Sequence, residues 1–294
     1  MNILITGGTG FIGSRLVEAF AGQQHQVTVL TRRKRSSRNP YISYREWNGQ
    51  EMPPAIGLYE AVINLAGASI AEGRWTSERK QLIIDSRRHA TAACVQYINS
   101  SPRPPEVFIS ASGIGYYGAD SEEVLDESAP AGEDFPARVC QIWEEEAQKA
   151  ECRKLILRLG VVLGRGGGAL EKMLPLYKWC LGARLGSGKQ GFPWVHLADV
   201  EGVVRFGLEN NKLQGPVNVV APGLVDQATF SDILATVVGR PDLLVAPAFA
   251  LRLMLGEQAL LLLGGQKAVP ASLQQAGYAF QFPELQAALE DIVG

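Results

Sequence analysis

Ile3-Leu4-Ile5-Thr6-Gly7-Gly8-Thr9-Gly10-Phe11-Ile12-Gly13 is the stretch that decides the fold. Ile3 to Thr6 reads as a short buried strand, Phe11 to Ala21 has the periodicity of a helix, and glycines at 7, 10 and 13 join them. The physical use of that spacing is specific. Gly7 and Gly10 permit a tight turn and close approach of a pyrophosphate, Gly13 lets the helix pack against the strand, and the helix N-terminus presents free N–H donors. Thr9, Phe11 and Ile12 lie within the same turn and are expected to touch the ligand. A glycine-rich turn without a ligand is the bland alternative, and the strand–turn–helix context weighs against it.

Outward from the turn, Val27 to Thr31 reads as a second strand and ends at Arg32-Arg33-Lys34-Arg35. A site for NAD would place Asp or Glu there to accept from the ribose 2′-OH; a guanidinium instead suits a 2′-phosphate. Arg32 and Arg33 therefore point to NADP(H), although most basic runs of this length are solvated surface. Tyr41 to Trp47 and Ala61 to Leu65 read as further strands, and the small residues of Asn64-Leu65-Ala66-Gly67 would let the backbone pass close beside the cofactor, with Leu65, Ala66 and Gly67 expected to touch it. Thr76 to Ile98 reads as a long helix, Val107 to Ala111 as a strand, Ile142 to Ala150 as a helix and Leu155 to Leu159 as a strand. Strands alternating with helices predict an α/β protein with a Rossmann-type, doubly wound parallel sheet. The expected division is a nucleotide-binding domain over 1–160, to which 192–221 returns, and a smaller, mainly helical substrate lobe from 161–191 and 222–294.

Composition narrows the function classes. The 294 residues carry 28 Lys plus Arg against 30 Asp plus Glu, and a net charge of −2 offers no field for nucleic acid or an anionic membrane. Cys94, Cys140, Cys152 and Cys180 form no C-x-x-C pair and suit free thiols in a reducing compartment. His25, His89 and His196 are too scattered to propose a metal site. No basic leader or apolar signal precedes Ile3, so a cytoplasmic protein is expected. Pro247 to Gly265 is apolar but interrupted by Arg252, Glu257 and Gln258, which predicts a buried amphipathic helix and no membrane span.

Seven further motifs accompany GGTGFIG: NLAGASI at 64–70, Arg74-Trp75, SASGIGYYG at 110–118, Trp143-Glu144, RLGVVLGRGGGAL at 158–170, GSGKQGFPWVHLADV at 186–200 and GQKAVP at 265–270. With them the chain resembles the extended short-chain dehydrogenases/reductases over nearly its whole length, and within them the SDR39U1-type epimerase family. The resemblance implies an NADP-binding Rossmann core and a substrate pocket between that core and the C-terminal lobe. It also implies a Ser or Thr after the fifth strand and a Tyr-x-x-x-Lys pair on the next helix, where Lys lowers the Tyr pKa for proton exchange with the substrate. Ser112 fills the first position. The pair is absent: none of the eight tyrosines is followed four places later by Lys, and Phe135 to Glu144 contains neither.

Tyr116 and Tyr117 are then the nearest phenols to Ser112, and the three are the candidate catalytic residues; packing beneath a loop is the bland reading for the tyrosines. Of Glu144-Glu145-Glu146, one member is expected to face inward. Asp199 is expected to cap the helix after it. Arg74 and Lys267 are candidates to meet an anionic substrate, and Phe192 and Trp194 either line the pocket or anchor the lobe. These residues support an NADP(H)-binding oxidoreductase or epimerase acting on a carbonyl or secondary alcohol, with a nucleotide sugar as one substrate class. The rival is a non-catalytic NADPH-binding module. A small molecule is the expected partner, and the helical tail would either cover the pocket or pair with a second subunit as a homodimer.

Overall fold

The computed structural model describes residues 1–119 and 123–294. The chain begins β1 (Asn2–Thr6), α1 (Phe11–Gly22), β2 (Gln26–Thr31), β3 (Ile42–Glu46), β4 (Ala61–Asn64), α2 (Ser77–Ser100) and β5 (Val107–Gly113). A 3-10 turn (Ile114–Tyr117) leads to β6 (Val124–Leu125), α3 (Phe135–Gln148), β7 (Arg153–Leu159), β8 (Val161–Leu163), α4 (Gly168–Lys178), β9 (Ala183–Leu185) and β10 (Trp194–His196). Next come α5 (Leu197–Glu209), β11 (Gly215–Val219), α6 (Gln227–Val238), β12 (Leu244–Ala246), α7 (Ala248–Leu255), α8 (Leu260–Leu263), β13 (Lys267–Ala268), α9 (Ala271–Gln275) and α10 (Leu285–Val293).

Seven strands form one parallel sheet in the order β11-β7-β5-β4-β1-β2-β3. The order reverses at β1, because the chain first builds β2 and β3 on one side and then returns to lay β4 and β5 on the other. Such a switch point leaves a crevice at the carboxyl ends of β1 and β4, where ligands of open α/β sheets bind. This is the expected Rossmann-type fold, and Val217 to Val219 do return to the sheet, beside β7.

Both faces of the sheet are covered, so its strands are apolar at successive positions. Ile3, Ile5, Val29, Ile63, Ile109 and Leu157 point toward α1 and α5 and pack on Leu16, Phe20, Val200 and Val204. Their neighbours Leu4, Leu30, Val62, Phe108 and Ile156 point the other way, onto Ala90, Cys94, Ile98 and Ala147 of α2 and α3. A separate core lies beyond β7, where Leu163, Leu170, Tyr177, Trp194, Phe230, Leu285 and Leu289 pack together. Phe192 stacks on Phe230 with centroids 4.0 Å apart, so Phe192 and Trp194 anchor this second core.

Two expectations need correction. Helix α3 begins at Phe135, seven residues before the expected Ile142, because Asp134 accepts from Ala137 N (2.9 Å) and Pro136 occupies the first turn. The apolar stretch 247–265 is not one buried helix. It breaks at Gly256 (φ +63°) into α7, a 3-10 turn and α8, and no residue of α7 is buried; Leu253 is 80% exposed. Apolar residues at nearly every position define no single inward face, and the left-handed glycine ends the first turn run. Among the described residues, no helix is long and apolar enough to cross a membrane.

Candidate cofactor and active site

The turn after β1 is built so tightly that only glycine fits. Gly7 has φ +68°, and a Cβ there would stand 2.6 Å from the carbonyl carbon and oxygen of Leu65. A Cβ at Gly13 would stand 2.3 Å from the Gly7 oxygen. Gly10 N donates to Gly7 O (3.0 Å), and Gly10 then caps α1 without any side chain, with no acidic residue in the first turn. The positive end of α1 is therefore left uncompensated by the protein, as an anion site requires. These residues fit a dinucleotide pyrophosphate.

The neighbouring elements close the crevice. Thr6 Oγ1 donates to Asn64 Oδ1 (2.6 Å) and Asn64 Nδ2 to Thr91 Oγ1 (2.9 Å), which ties β1, β4 and α2 together beneath Leu65 and Ala66. Phe11 lies under the loop Gly164–Gly168: a Cβ at Gly167 would meet its ring at 2.4 Å. Thr9 is exposed, while Phe11 and Ile12 are half-buried at the mouth. Arg32 and Arg33 follow β2 directly, are exposed, and pair with no carboxylate among the described residues. Strand spacing puts β2 about 14 Å from β5, a separation that a dinucleotide lying across the carboxyl ends would bridge.

At the far end, Ser112, Tyr116 and Tyr117 are brought together around Glu144 and two partners that the sequence did not single out, Arg158 and Asn218. Ser112 is 3% exposed and donates to Glu144 Oε1 (2.6 Å). Glu144 is the inward member of its acidic run, and both its oxygens accept from Arg158, at 2.9 Å from Nε and 2.8 Å from Nη2. Arg158 also donates to Tyr117 Oη (2.9 Å) and faces the Tyr116 ring, 3.5 Å from its centroid. Tyr117 in turn donates to Asn218 Oδ1 (2.8 Å), joining β5, β7, β11 and α3 in one buried network. Burial raises the Tyr117 phenol above its ordinary range, although Arg158 and Asn218 work against that shift. For Arg158, burial disfavours the charge, yet Glu144 outweighs it and holds the guanidinium above its usual value. Cys140, buried beside Ser112, is pushed up to about 11 by desolvation and then by Glu144.

Arg158 had one sequence signal, a charge within the otherwise apolar run Leu155 to Leu159 of a buried strand, which demands a partner. Asn218 had none. One other expected contact falls elsewhere. Asp199 does not cap α5; His196 Nδ1 does, accepting from Ala198 N (3.1 Å). Asp199 instead accepts from Gln281 N (2.7 Å), Phe282 N (3.0 Å) and Tyr278 Oη (3.2 Å). Arg74 Nη2 donates to the Met254 carbonyl (2.7 Å), and Lys267 lies in β13, paired with β6.

Residues 3–220 match the family described as "NAD dependent epimerase/dehydratase family", and residues 246–292 match "Domain of unknown function (DUF1731)". The mouse protein "Epimerase family protein SDR39U1" is 37% identical, with all of both chains covered. "Epimerase family protein YfhF" of Bacillus subtilis is 38% identical over 100% of this chain and 98% of its own. Among solved structures, the human epimerase family protein SDR39U1 (isoform2) with NADPH superposes with TM-score 0.91 at 34% identity, covering 99% of each chain. A UDP-glucuronic acid 4-epimerase from Bacillus cereus, in complex with UDP-glucuronic acid and NAD, shares the fold at TM-score 0.77 and 17% identity, covering 99% of this chain and 98% of its own.

Proposed function

We propose, from the premise that this chain belongs to the NAD dependent epimerase/dehydratase family and within it to the SDR39U1-type epimerases, that it binds NADP(H) and acts as an oxidoreductase or epimerase on a carbonyl or secondary alcohol. The single observation that carries the reading is the glycine turn pressed against Leu65 beneath an uncapped α1 N-terminus. Gly7, Thr9, Gly10, Phe11, Ile12 and Gly13 hold the pyrophosphate, Leu65, Ala66 and Gly67 border the nicotinamide half, and Arg32 with Arg33 takes the 2′-phosphate. The bound nicotinamide supplies hydride transfer. Ser112 and Tyr116 then border the reacting carbon, and with no Tyr-x-x-x-Lys pair the proton passes through these hydroxyls or an ordered water. The protein works in the cytoplasm, with its thiols reduced, on a small molecule such as a nucleotide sugar.

Binding decides the cofactor assignment. Wild type is expected to prefer NADPH over NADH, and Arg32→Ala to lose roughly tenfold or more of its NADPH affinity, as removal of a charge-assisted hydrogen bond requires. Equal wild-type affinities for the two cofactors would remove the case for the arginines. One observation favours the non-catalytic reading: Ser112 already donates its proton to a carboxylate locked by Arg158. Transfer of deuterium from labelled NADPH into a metabolite extract tests turnover, with persistent binding and no transfer pointing to a regulatory module.

A further inference from the structure

Helix α2 turns Arg79, Ile83 and Arg87, four residues apart, toward the loop that follows β4. Both arginines hold that loop. Arg79 Nη2 donates to the Ser69 carbonyl (2.6 Å), and Arg87 Nη1 donates to the carbonyls of Ala68 (2.9 Å) and Ile83 (3.0 Å). Among the described residues, neither charge is neutralised by a buried carboxylate. Arg87 has no ion pair among the described residues, and Arg79 has only Glu72, 3.9 Å away and 70% exposed. The Nε atoms of both are buried, with no hydrogen-bond partner among the described residues.

Arg87 is packed as well as unpaired. Its guanidinium lies over the Trp143 ring, 4.9 Å from the centroid, and a Cβ on Gly67 would stand 3.1 Å from its side chain. Burial, and then the like charge of Arg79, pull its pKa down to about 10, while Cys140 nearby acts in the opposite sense. Trp143 precedes Glu144 on α3, and Glu144 accepts from Ser112, so Arg87 and Ser112 meet the same turn of that helix. Two close cations with unused buried donors oppose folding unless something anionic completes them. Of the other basic residues here, Lys80 is already paired with Glu257, and Arg74 is exposed.

We propose that Arg79 and Arg87 form an oxyanion subsite that docks a carboxylate or phosphate group of the substrate, between α2, the 67–70 loop and Trp143. The assignment of that anion to a substrate rests on the preceding reading, in which the phosphates of the cofactor occupy the Gly7–Gly13 turn and Arg32–Arg33. The guanidinium fork matches either oxyanion, and its packing against Gly67, just past β4, orients the rest of the substrate over the carboxyl end of that strand.

Calorimetric titration of malonate and of inorganic pyrophosphate into the apo and the NADPH-saturated protein tests this. At least one anion binds the saturated wild type, and Arg87→Gln weakens that binding by about tenfold or more, the loss of one charge-assisted bond. NADPH affinity falls by clearly less than anion affinity in the same variant, because the glycine turn and Arg32–Arg33 are untouched even though Gly67 packs on Arg87. Malonate or pyrophosphate as the tighter probe tells a carboxylate substrate from a phosphorylated one. If Arg87→Gln does not fold, Arg87→Lys keeps the charge without the fork, and its anion binding falls between wild type and none. The proposal is overturned if neither anion binds the saturated protein, if the variants bind as wild type does, or if NADPH displaces the anion one for one. Failure of NADPH itself to bind would refute the cofactor reading alone, since the apo titrations of wild type and Arg87→Gln still decide the subsite.

Discussion

Glu144 has two sequence neighbours of identical chemistry, and what distinguishes it is burial. Its carboxylate takes the Ser112 hydroxyl on one oxygen and Arg158 on both, and all three side chains are buried. Removing its charge strands a buried guanidinium, so Glu144→Gln is expected to cost about 3–5 kcal/mol in urea denaturation. Arg158→Met combined with Glu144→Leu is expected to recover most of that loss, because an apolar pair needs no neutralisation. Ser112→Ala separates structure from chemistry at the same spot. One lost hydrogen bond costs about 1 kcal/mol of stability, whereas a proton-transfer role predicts that turnover collapses with NADPH affinity intact. A fully active Ser112→Ala protein would place the proton route elsewhere.

Helix α5 shows how an element can carry its own pH sensitivity. Its cap is a histidine rather than Ser, Thr, Asp or Asn, and Nδ1 accepts only while the ring is neutral in that tautomer. Burial depresses the His196 pKa below its ordinary 6.5, against the pull of Asp291 and Asp199, with Arg15 adding to the depression. The folded state therefore resists a proton that the unfolded chain accepts. Stability is complete above pH 6.5 and falls as the pH drops below it, by at most about 1.4 kcal/mol per pH unit. His196→Asn retains a good cap without the titration, so its thermal midpoint is expected to fall less than that of wild type between pH 7.5 and 5.5. Equal losses in the two proteins would assign the acid sensitivity to other groups. The segment 247–265 gives the opposite lesson at this scale, since its apolar composition suggested burial while Gly256 and the absence of one inward face leave α7 exposed.

Across the whole molecule, Asp199 is the point where the C-terminal tail is fastened to the sheet domain. It is fully buried in the first turn of α5, and its carboxylate gathers the N–H groups of Gln281 and Phe282 and the Tyr278 hydroxyl. Asp199→Ala leaves those donors unmet and is expected to speed amide exchange across residues 278–293 while β1 to β5 stay protected, as local opening of a tail predicts. Uniformly faster exchange throughout the protein would show that the tail and the sheet unfold as one unit.

The strand–glycine–helix opening was legible because it is local: strand, turn and helix are consecutive, and backbone sterics alone demand glycine at 7 and 13. The alternation of apolar strands and helices likewise foretold a doubly wound parallel sheet, since each element's periodicity is written along its own length. The Ser112–Glu144–Arg158–Tyr117–Asn218 network was not legible, because its members come from four separated segments and no spacing between those segments marks them as partners. Ser112 was visible by its place at the end of β5, and Glu144 only as one of three equal candidates. Which carboxylate turned inward, which cation met it, and why Asp199 held a tail rather than a helix end were settled by packing, where a buried charge must find its partner wherever the chain happens to bring one.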